Sequence, residues 1–281
     1  MTAWSQERVW EAVEAWRWSP PTAAKVKTDE FELAVTPGSY SLTYVWGFRV
    51  AGARADERLK EVRARIEALG GTGARFQVTP LSRPPDLAER LVLAGYRPLE
   101  EAEILIWRFR DERDTPRLPP FRPAPGVEVR EASTLEEYEA FMVLATPIFQ
   151  DPVPSEESRA GFLREFHRQI REAGHSERFV AWEGGRPVGR GGMEVVGPVA
   201  RFWGTGVLPE CRKRGIYGAL VGARCASAAQ RGAEIALVTA RVGTSGPILK
   251  HHGFEPMGTV RVFEGRWESG TAAESAHRRR P

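Results

Sequence analysis

The chain has 281 residues, of which 42% are hydrophobic and 27% are charged, a composition typical of soluble globular proteins with about two domains. It contains no run of about 18 apolar residues, which argues against a membrane span, and its net charge of +3 argues against a nucleic-acid-binding face. The two cysteines, Cys211 and Cys225, predict no disulfide framework and a reducing, cytoplasmic setting, and the absence of Cys/His clusters predicts no metal.

The first part of the chain has the pattern of a small α/β unit. The spacing of apolar residues predicts a strand at 41–50, a helix at 56–69, a strand at 74–79, a helix at 86–94 and a strand at 101–109. The helix at 56–69 places four apolar side chains on one face, and such a face needs a packed partner. These four are Leu59, Val62, Ile66 and Leu69.

A proline-rich segment follows at residues 111–125. It contains five prolines, which predict an extended, semi-rigid linker with no core of its own. We therefore expect four segments, namely a domain at 1–110, the linker at 111–125, a second domain at 126–266 and a disordered tail at 267–281.

The second domain is predicted to be mixed α/β, with the element order β-α-α-β-β-β-α-β-α-β. The strands are predicted at 126–132, 178–183, 186–197, 200–209, 234–240 and 254–263, and the helices at 134–145, 155–172, 216–231 and 245–252. Ser133 or Thr134 is the predicted cap of the first helix, because a side-chain oxygen there can accept a backbone amide.

The two domains share a pattern of sequence landmarks. Trp46-Gly47 and Trp203-Gly204 are 157 positions apart, and Gly95-Tyr96 and Gly253-Phe254 are 158 positions apart. This near-constant spacing indicates a divergent duplication. Two unrelated α/β units that happen to share a Gly-aromatic helix end remain the alternative.

The segment Arg212–Gly218 is the strongest candidate for a ligand site. A strand ends near Pro209 and a helix begins at Ile216, so loop amides and the positive helix end point at one place. Gly215 allows close approach to the backbone. The basic run Arg212–Arg214 adds charge, and together these features are suited to a diphosphate. A solvated basic turn is the alternative.

This segment resembles the cofactor loop of the GNAT superfamily of N-acyltransferases. Residues 212–217, Arg-Lys-Arg-Gly-Ile-Tyr, are similar to the family pattern Arg/Gln-x-x-Gly-x-Gly/Ala, with Tyr217 in the last position and Gly218 after it. Val207-Leu208-Pro209 is similar to the Val-x-Pro that precedes the loop, and Gly253-Phe254 to the Gly-Phe that closes the last helix. The resemblance covers about half of the chain, and the predicted element order agrees with it.

The resemblance implies a GNAT-like mixed sheet flanked by helices, with acetyl-CoA or another acyl-CoA as co-substrate. The backbone of Val207 and Leu208 would pair with the pantetheine arm, and the amide of Val207 would stabilise the oxyanion. The diphosphate would be held by the loop residues Arg212, Lys213, Arg214, Gly215, Ile216, Tyr217 and Gly218. The acceptor would be a small-molecule or peptide amine, and a homodimer is left open.

The N-terminal domain would be a smaller, degenerate repeat without a cofactor loop. The residues after Trp46-Gly47 contain no Arg-x-x-Gly-x-Gly pattern, and Asp56 and Glu57 place carboxylates at the predicted helix start. These carboxylates suit the helix dipole and would repel a diphosphate. We therefore expect that this domain binds no CoA.

Catalysis by direct attack of an amine needs a base for the amine and an acid for the leaving thiolate. By the resemblance, the acid is a tyrosine four residues before Gly253, where this chain has Leu249. Glu194 is the best candidate for the general base, although a surface strand residue is the simpler interpretation. The sequence thus predicts an N-acetyltransferase that works in a ternary complex, with a non-catalytic acyl-CoA-binding or sensing module as the alternative.

Overall fold

The structure is a computed structural model that describes residues 4–17, 19, 23–111, 113–122, 124–150, 153, 155–173 and 177–267. The predicted tail lies outside these residues except for Trp267, whose amide donates to the carbonyl of Thr72 at 3.1 Å. The chain forms two compact units. Unit 1 is Met1–Glu103 together with Met257–Pro281, and unit 2 is Ile104–Pro256.

Unit 1 combines helices with a mixed sheet. Its helices are α1 (Gln6–Ala15), α2 (Ala55–Ala68) and α3 (Leu87–Leu93), and its strands are β1 (Ala24–Lys27), β2 (Glu32–Thr36), β3 (Ser39–Trp46), β4 (Gly73–Val78) and the first part of β5 (Arg97–Arg108). Strands β1 to β4 are neighbours in that order, antiparallel except for the parallel pair β3 and β4. The last strand of the chain, Glu255–Arg266, is antiparallel to β4.

This last strand explains why the units differ from the predicted domains at 1–110 and 126–266. Residues Arg261–Arg266 pair with Gly73–Val78, so the end of the chain completes the sheet of unit 1. The other boundary, after Glu103, falls inside β5. This boundary could not be predicted from the sequence, because the strand pattern continues through it without a break. Which strands pair with each half of β5 depends on tertiary packing.

The core of unit 1 confirms the predicted apolar face of α2. Leu59, Val62 and Ile66 are buried and belong to one cluster with Phe48 and Phe76. Helix α1 and strands β1 and β2 have no counterpart among the predicted elements. A cap signal for α1 does exist in the sequence, because the Ser5 hydroxyl accepts from the Arg8 amide at 3.2 Å.

Unit 2 also combines helices with parallel and antiparallel strands. Its elements are the second part of β5, β6 (Val127–Glu131), α4 (Leu135–Val143), α5 (Ala145–Phe149), α6 (Glu156–Ala173), β7 (Arg178–Glu183), β8 (Arg186–Val196), β9 (Val199–Val207), α7 (Ile216–Gln230), β10 (Ile235–Arg241) and α8 (Ser245–His251). The strand order is β5-β10-β9-β8-β7-β6. Strands β10 and β9 are parallel, and the steps from β9 to β6 are antiparallel.

The predicted element order of the second domain is confirmed with one refinement. The predicted helix at 134–145 ends at Val143, and the short helix α5 follows it. Thr134 is the cap, and it forms a reciprocal capping box with Glu137. The sequence of β10 is apolar without alternation, which is typical of a strand buried on both faces. Residues Ile235 through Val238 are indeed all buried.

The proline-rich segment at 111–125 belongs to unit 2 and packs against it. The Arg117 amide donates to the Phe109 carbonyl at 2.8 Å, and Ala124 is buried. The Phe121 ring contacts the His252 ring in a tilted arrangement, with 4.1 Å between centroids. It also lies so close to Gly218 of α7 that a β-carbon there would be 2.7 Å from it. The described residues of the segment therefore pack on the unit through Arg117, Phe121 and Ala124.

Candidate functional site

Strand β9 has an irregular pairing with β8 at its centre. Arg190 is opposite Gly206 and Gly192 is opposite Trp203, so the two residues Gly204 and Thr205 oppose one residue of β8. Gly204 has a φ of +55°, the left-handed conformation that glycine adopts without strain. This arrangement is a β-bulge, which bends a strand and re-aims its backbone groups.

Beyond the bulge, β9 separates from its parallel neighbour. The ladder with β10 runs from Val199↔Ile235 to Phe202↔Val238, whereas β9 continues to Val207 and β10 to Arg241. On the other side, the Leu208 amide donates to the Val188 carbonyl at 3.0 Å. Backbone groups alternate between the two edges of a strand, so the Val207 amide points to the opening between β9 and β10.

The loop after β9 ends in a helix start that is rich in backbone amides. Lys213 and Gly215 have φ values of +64° and +80°, and Gly215 is the N-cap of α7. Within the described residues, no carbonyl or side chain accepts from the amides of Lys213 through Gly218. No acidic side chain lies in the first turn of α7. The loop is therefore suited to an anion, because the unpaired amides and the helix dipole both favour negative charge.

The three cations of the loop have different surroundings. Arg214 forms a two-pronged ion pair with Glu183 of β7, with one N–O distance of 3.0 Å, and this pairing raises the pKa of its guanidinium. Arg212 donates from Nε to the Val207 carbonyl at 3.3 Å. Lys213 is exposed, and no ion pair involves it in the part of the chain that the structure describes. Lys213 is thus the cation best able to meet a phosphate.

The first turn of α7 joins the loop to the core of unit 2. Ile216 is buried with Leu220 beneath Gly189 of β8. Tyr217 packs against the same core, and burial raises the pKa of its phenol. The position where the family pattern has a small residue is therefore occupied by an inward-facing ring.

Two predicted site residues lie away from this loop or have other partners. The Leu208 amide is used by β8, and the side chain is buried, so Leu208 supplies no amide to a ligand. Glu194 of β8 is opposite Arg201 of β9. It lies three residues along β8 from Gly191 at the bulge, which is about 10 Å at the rise of a strand. Burial lowers the pKa of the Arg201 guanidinium, and the facing Glu194 opposes that effect. The pairing favours a structural role for Glu194.

A buried arginine on α7 has no counterpart in the sequence analysis. Arg224 is fully buried; its Nε donates to the Leu220 carbonyl at 3.0 Å and one Nη to the Gly192 carbonyl at 2.9 Å. A β-carbon on Gly191 would lie 2.9 Å from its guanidinium carbon. The glycine-rich run of β8 could have indicated this buried arginine, because glycines leave room for a large side chain from the facing helix.

The opposite face of the unit 2 sheet carries an apolar pocket. Ile148 and Phe149 of α5 lie over Gly206 of β9, where a β-carbon would be 2.2 Å from Ile148. The other side of α5 borders a pocket of about 260 Å³. Its walls are mostly apolar and include Tyr138, Met142, Val143, Pro147, Val153 and Leu163, with Glu139 and Arg159 at the edge.

Neither a metal site nor a membrane helix is found in the described part of the chain. No group of three or more His, Cys, Asp or Glu residues there could hold a metal ion. No helix there combines the length and the apolar character needed to cross a bilayer.

The site thus combines a mixed sheet, a bulged strand with an opening beside it, and an amide-rich loop that starts a helix, an arrangement suited to a ligand with a phosphate group. Residues 138–246 match the family model described as "Acetyltransferase (GNAT) family". They include the bulge, the opening and the loop. This part of the chain is therefore a GNAT acetyltransferase domain.

Solved structures with the same fold extend the likeness to most of the chain. A GCN5-related N-acetyltransferase from Kribbella flavida is 19% identical with a TM-score of 0.62, over 89% of this chain and 92% of that one. A GCN5-related N-acetyltransferase from Sphaerobacter thermophilus is 16% identical with a TM-score of 0.65, over 84% and 76%. A tandem GNAT protein from the clavulanic acid biosynthesis pathway is 16% identical with a TM-score of 0.56, over 91% and 87%. No curated protein sequence matches the chain.

Proposed function

We propose that unit 2 is an N-acyltransferase that uses acetyl-CoA or another acyl-CoA and transfers the acyl group to an amine by direct attack in a ternary complex. The observation that carries the proposal is the run of unpaired amides from Lys213 through Gly218 at the end of the opened strand β9. These two features suit the two ends of one ligand, because a diphosphate needs converging amides and an extended amide chain needs a free strand edge.

In this proposal, the backbone does most of the work of binding. The amides of the loop hold the diphosphate, with Lys213 as an added cation, and Gly215 leaves room for the phosphate oxygens. The Val207 amide faces the opening, where it donates to the donor substrate and to the oxyanion that forms during attack. Arg212 and Arg214 hold the loop through their contacts with Val207 and Glu183.

The acceptor is a small-molecule or peptide amine in this proposal. It approaches from the α5 side of the sheet, which the pocket bordered by Met142 and Pro147 supports. Glu194 as the general base stays a prediction, and its pairing with Arg201 speaks for the structural alternative. We also propose a cytoplasmic location, which the free, buried thiols of Cys211 and Cys225 support.

Calorimetric titration with acetyl-CoA tests the cofactor site. Gly215→Val forces a β-branched residue to a φ of +80° and blocks the loop, so we expect at least about a 100-fold loss of affinity. Gly185→Val is the matched control, because Gly185 also has a positive φ, of +81°, and no atom near its β-position, but it lies in the β7–β8 turn. Equal affinity of the two variants would contradict the site.

Thiol release separates an enzyme from a non-catalytic binding module. The wild-type chain is incubated with acetyl-CoA and panels of small amines and peptides, and free thiol and product mass are followed. We expect acceptor-dependent thiol release that disappears in Gly215→Val. Tight binding of acetyl-CoA without release on any acceptor would support the sensing module.

A further inference from the structure

Unit 1 contains a polar pocket that the proposed acyl transfer does not use. It has a volume of about 410 Å³ and lies where strand β4 ends and the loop at residues 79–85 begins. The side chains that give it its character are two arginines, three hydroxyls and one carboxylate, namely Arg83, Arg261, Thr79, Ser82, Thr259 and Glu101. All of them belong to unit 1, so the pocket is formed within a single unit.

The sheet fixes the position of three of these side chains. Arg261 of β11 (Glu255–Arg266) is opposite Val78 in the antiparallel ladder with β4. Thr259 lies two residues before Arg261, so both side chains are on the face of the sheet that carries Val78. Glu101 is on β5, which is the neighbour of β11 on the other side. One wall of the pocket is therefore regular sheet.

The other wall, the loop at residues 79–85, is held by hydrogen bonds and by prolines. The Thr79 amide donates to the Ser82 hydroxyl at 3.0 Å, and the Thr79 hydroxyl donates to the buried Glu14 carboxylate at 2.7 Å. Three residues of the loop are prolines, which restrict the backbone, namely Pro80, Pro84 and Pro85. A wall that is already rigid loses little freedom when a ligand binds, so the pocket is preorganised.

The two arginines of the pocket have no anionic partner. One Nη of Arg83 donates to the Pro80 carbonyl at 3.0 Å and to the Ser82 carbonyl at 2.8 Å, which holds the guanidinium in place. Among the described residues, nothing accepts from its Nε or its second Nη, and the Arg261 side chain has no hydrogen bond or ion pair. Other arginines of unit 1, such as Arg90, form ion pairs with carboxylates. The pocket thus presents two cations to which an anion can bind.

We propose that this pocket binds a small phosphorylated molecule, with its phosphate between Arg83 and Arg261. A phosphate monoester carries a charge of about −1.5 to −2 at neutral pH, which matches the two cations, whereas a single carboxylate would leave one cation uncompensated. Glu101 repels a phosphate beside it, so this carboxylate and the Thr259 hydroxyl face the organic part of the ligand and bind its hydroxyl groups. The inference is independent of the acyl transfer proposed for unit 2.

The test is calorimetric titration of the full chain at low salt with glycerol 3-phosphate, inorganic phosphate and succinate. We expect glycerol 3-phosphate to bind most tightly and succinate least. Arg83→Gln and Arg261→Gln should each weaken glycerol 3-phosphate at least about 10-fold, because each removes charge-assisted hydrogen bonds. Arg83→Lys should lose less, since it keeps the charge but not the fork of donors. Glu101→Ala should weaken glycerol 3-phosphate but not inorganic phosphate.

Arg97→Gln is the matched control, because Arg97 is an exposed arginine of β5 outside the pocket and the change in charge is the same. It should leave the affinity for glycerol 3-phosphate within about 2-fold. Equal losses in Arg97→Gln, no binding to the wild-type chain, or equal or tighter binding of inorganic phosphate or succinate would overturn the proposal.

Acetyl-CoA separates this pocket from the cofactor site. Its affinity should stay within about 2-fold in Arg83→Gln and Arg261→Gln, which also shows that the variants are folded. A loss of acetyl-CoA binding in these variants would assign the pocket to the cofactor and overturn the inference. A wild-type chain that binds glycerol 3-phosphate but no acetyl-CoA would contradict only the proposed function.

Discussion

The strand–loop–helix segments β3–α2 of unit 1 and β9–α7 of unit 2 share landmarks but differ where a ligand would bind. Gly47 and Gly204, each after a tryptophan, have φ values of +59° and +55°. Gly95 and Gly253, each after a helix, have φ values of +89° and +86°. These matching backbone conformations agree with the repeat that the sequence landmarks predict. The shared features are glycines with positive φ at the strand bend and at the helix end, which are positions where the backbone of the fold needs glycine.

The helix starts differ in their backbone and their charge. In unit 2, the loop residues 212–215 separate a one-turn 3-10 helix from α7, and Gly215 begins the helix with its amides unpaired. In unit 1, a 3-10 turn at Gly52–Arg54 runs directly into α2, and the Arg54 amide donates to the Ala51 carbonyl at 2.9 Å. Asp56 and Glu57 then occupy the first turn of α2. The start of α2 therefore neutralises its own dipole.

The openings beside the two strands also differ. In unit 2, the edge of β9 beyond Phe202 has no strand partner toward β10. In unit 1, the chain itself fills the equivalent edge, because the Arg83 amide donates to the Phe48 carbonyl at 2.8 Å and the Val50 amide donates to the Arg83 carbonyl at 3.2 Å. We therefore expect the two units to differ in binding through their backbone pairing, with their cores intact.

The largest expected effect is a loss of folding stability, and it should be similar in the two units. Leu59→Ala in α2 and Leu220→Ala in α7 each remove a buried side chain, and each should lower the free energy of unfolding by about 2–5 kcal/mol. Urea unfolding followed by circular dichroism measures both, with exposed Leu93→Ala as the control. A loss below about 1 kcal/mol for either variant would show that its helix does not anchor a core.

A charge reversal should separate the two units. Lys213→Glu should weaken acetyl-CoA binding about 10-fold at low salt and less at high salt, because the loop cation meets a phosphate. Lys60→Glu, on an exposed position of α2, makes the same change in net charge and should leave the affinity unchanged. Similar losses in both variants would point to a general field effect of net charge.

The smallest expected effect concerns the stoichiometry of binding. Asp56→Asn with Glu57→Gln removes the carboxylates at the start of α2, and calorimetry should still show one acetyl-CoA per chain. The reason is that the backbone of Arg83 already occupies the strand edge of unit 1. Two bound molecules per chain would show that charge alone had closed the site. Loss of the exposed Asp56–Arg90 ion pair should cost little stability.

Most secondary structure of both units could be predicted, because it depends on local patterns. The apolar stripe of α2, the Thr134 cap and the positions of β7 to β10 all follow from residue spacing and end signals. Short elements with weak patterns, such as β1 and β2, could not be predicted. The proline-rich segment was predicted as an extended, semi-rigid linker with no core of its own, because proline content reports local stiffness and not the contact of Phe121 with α7.

The sequence by itself determined where the anion loop lies, since a strand end, a basic run and Gly215 before a helix are contiguous in the chain. Only the tertiary structure decided which groups of the loop stay unpaired. Arg214 forms an ion pair with Glu183, and the Leu208 amide donates to the Val188 carbonyl. The tertiary structure also decided that the last strand pairs with β4 of unit 1. Contacts between residues far apart in the chain depend on packing of whole elements, which local spacing does not encode.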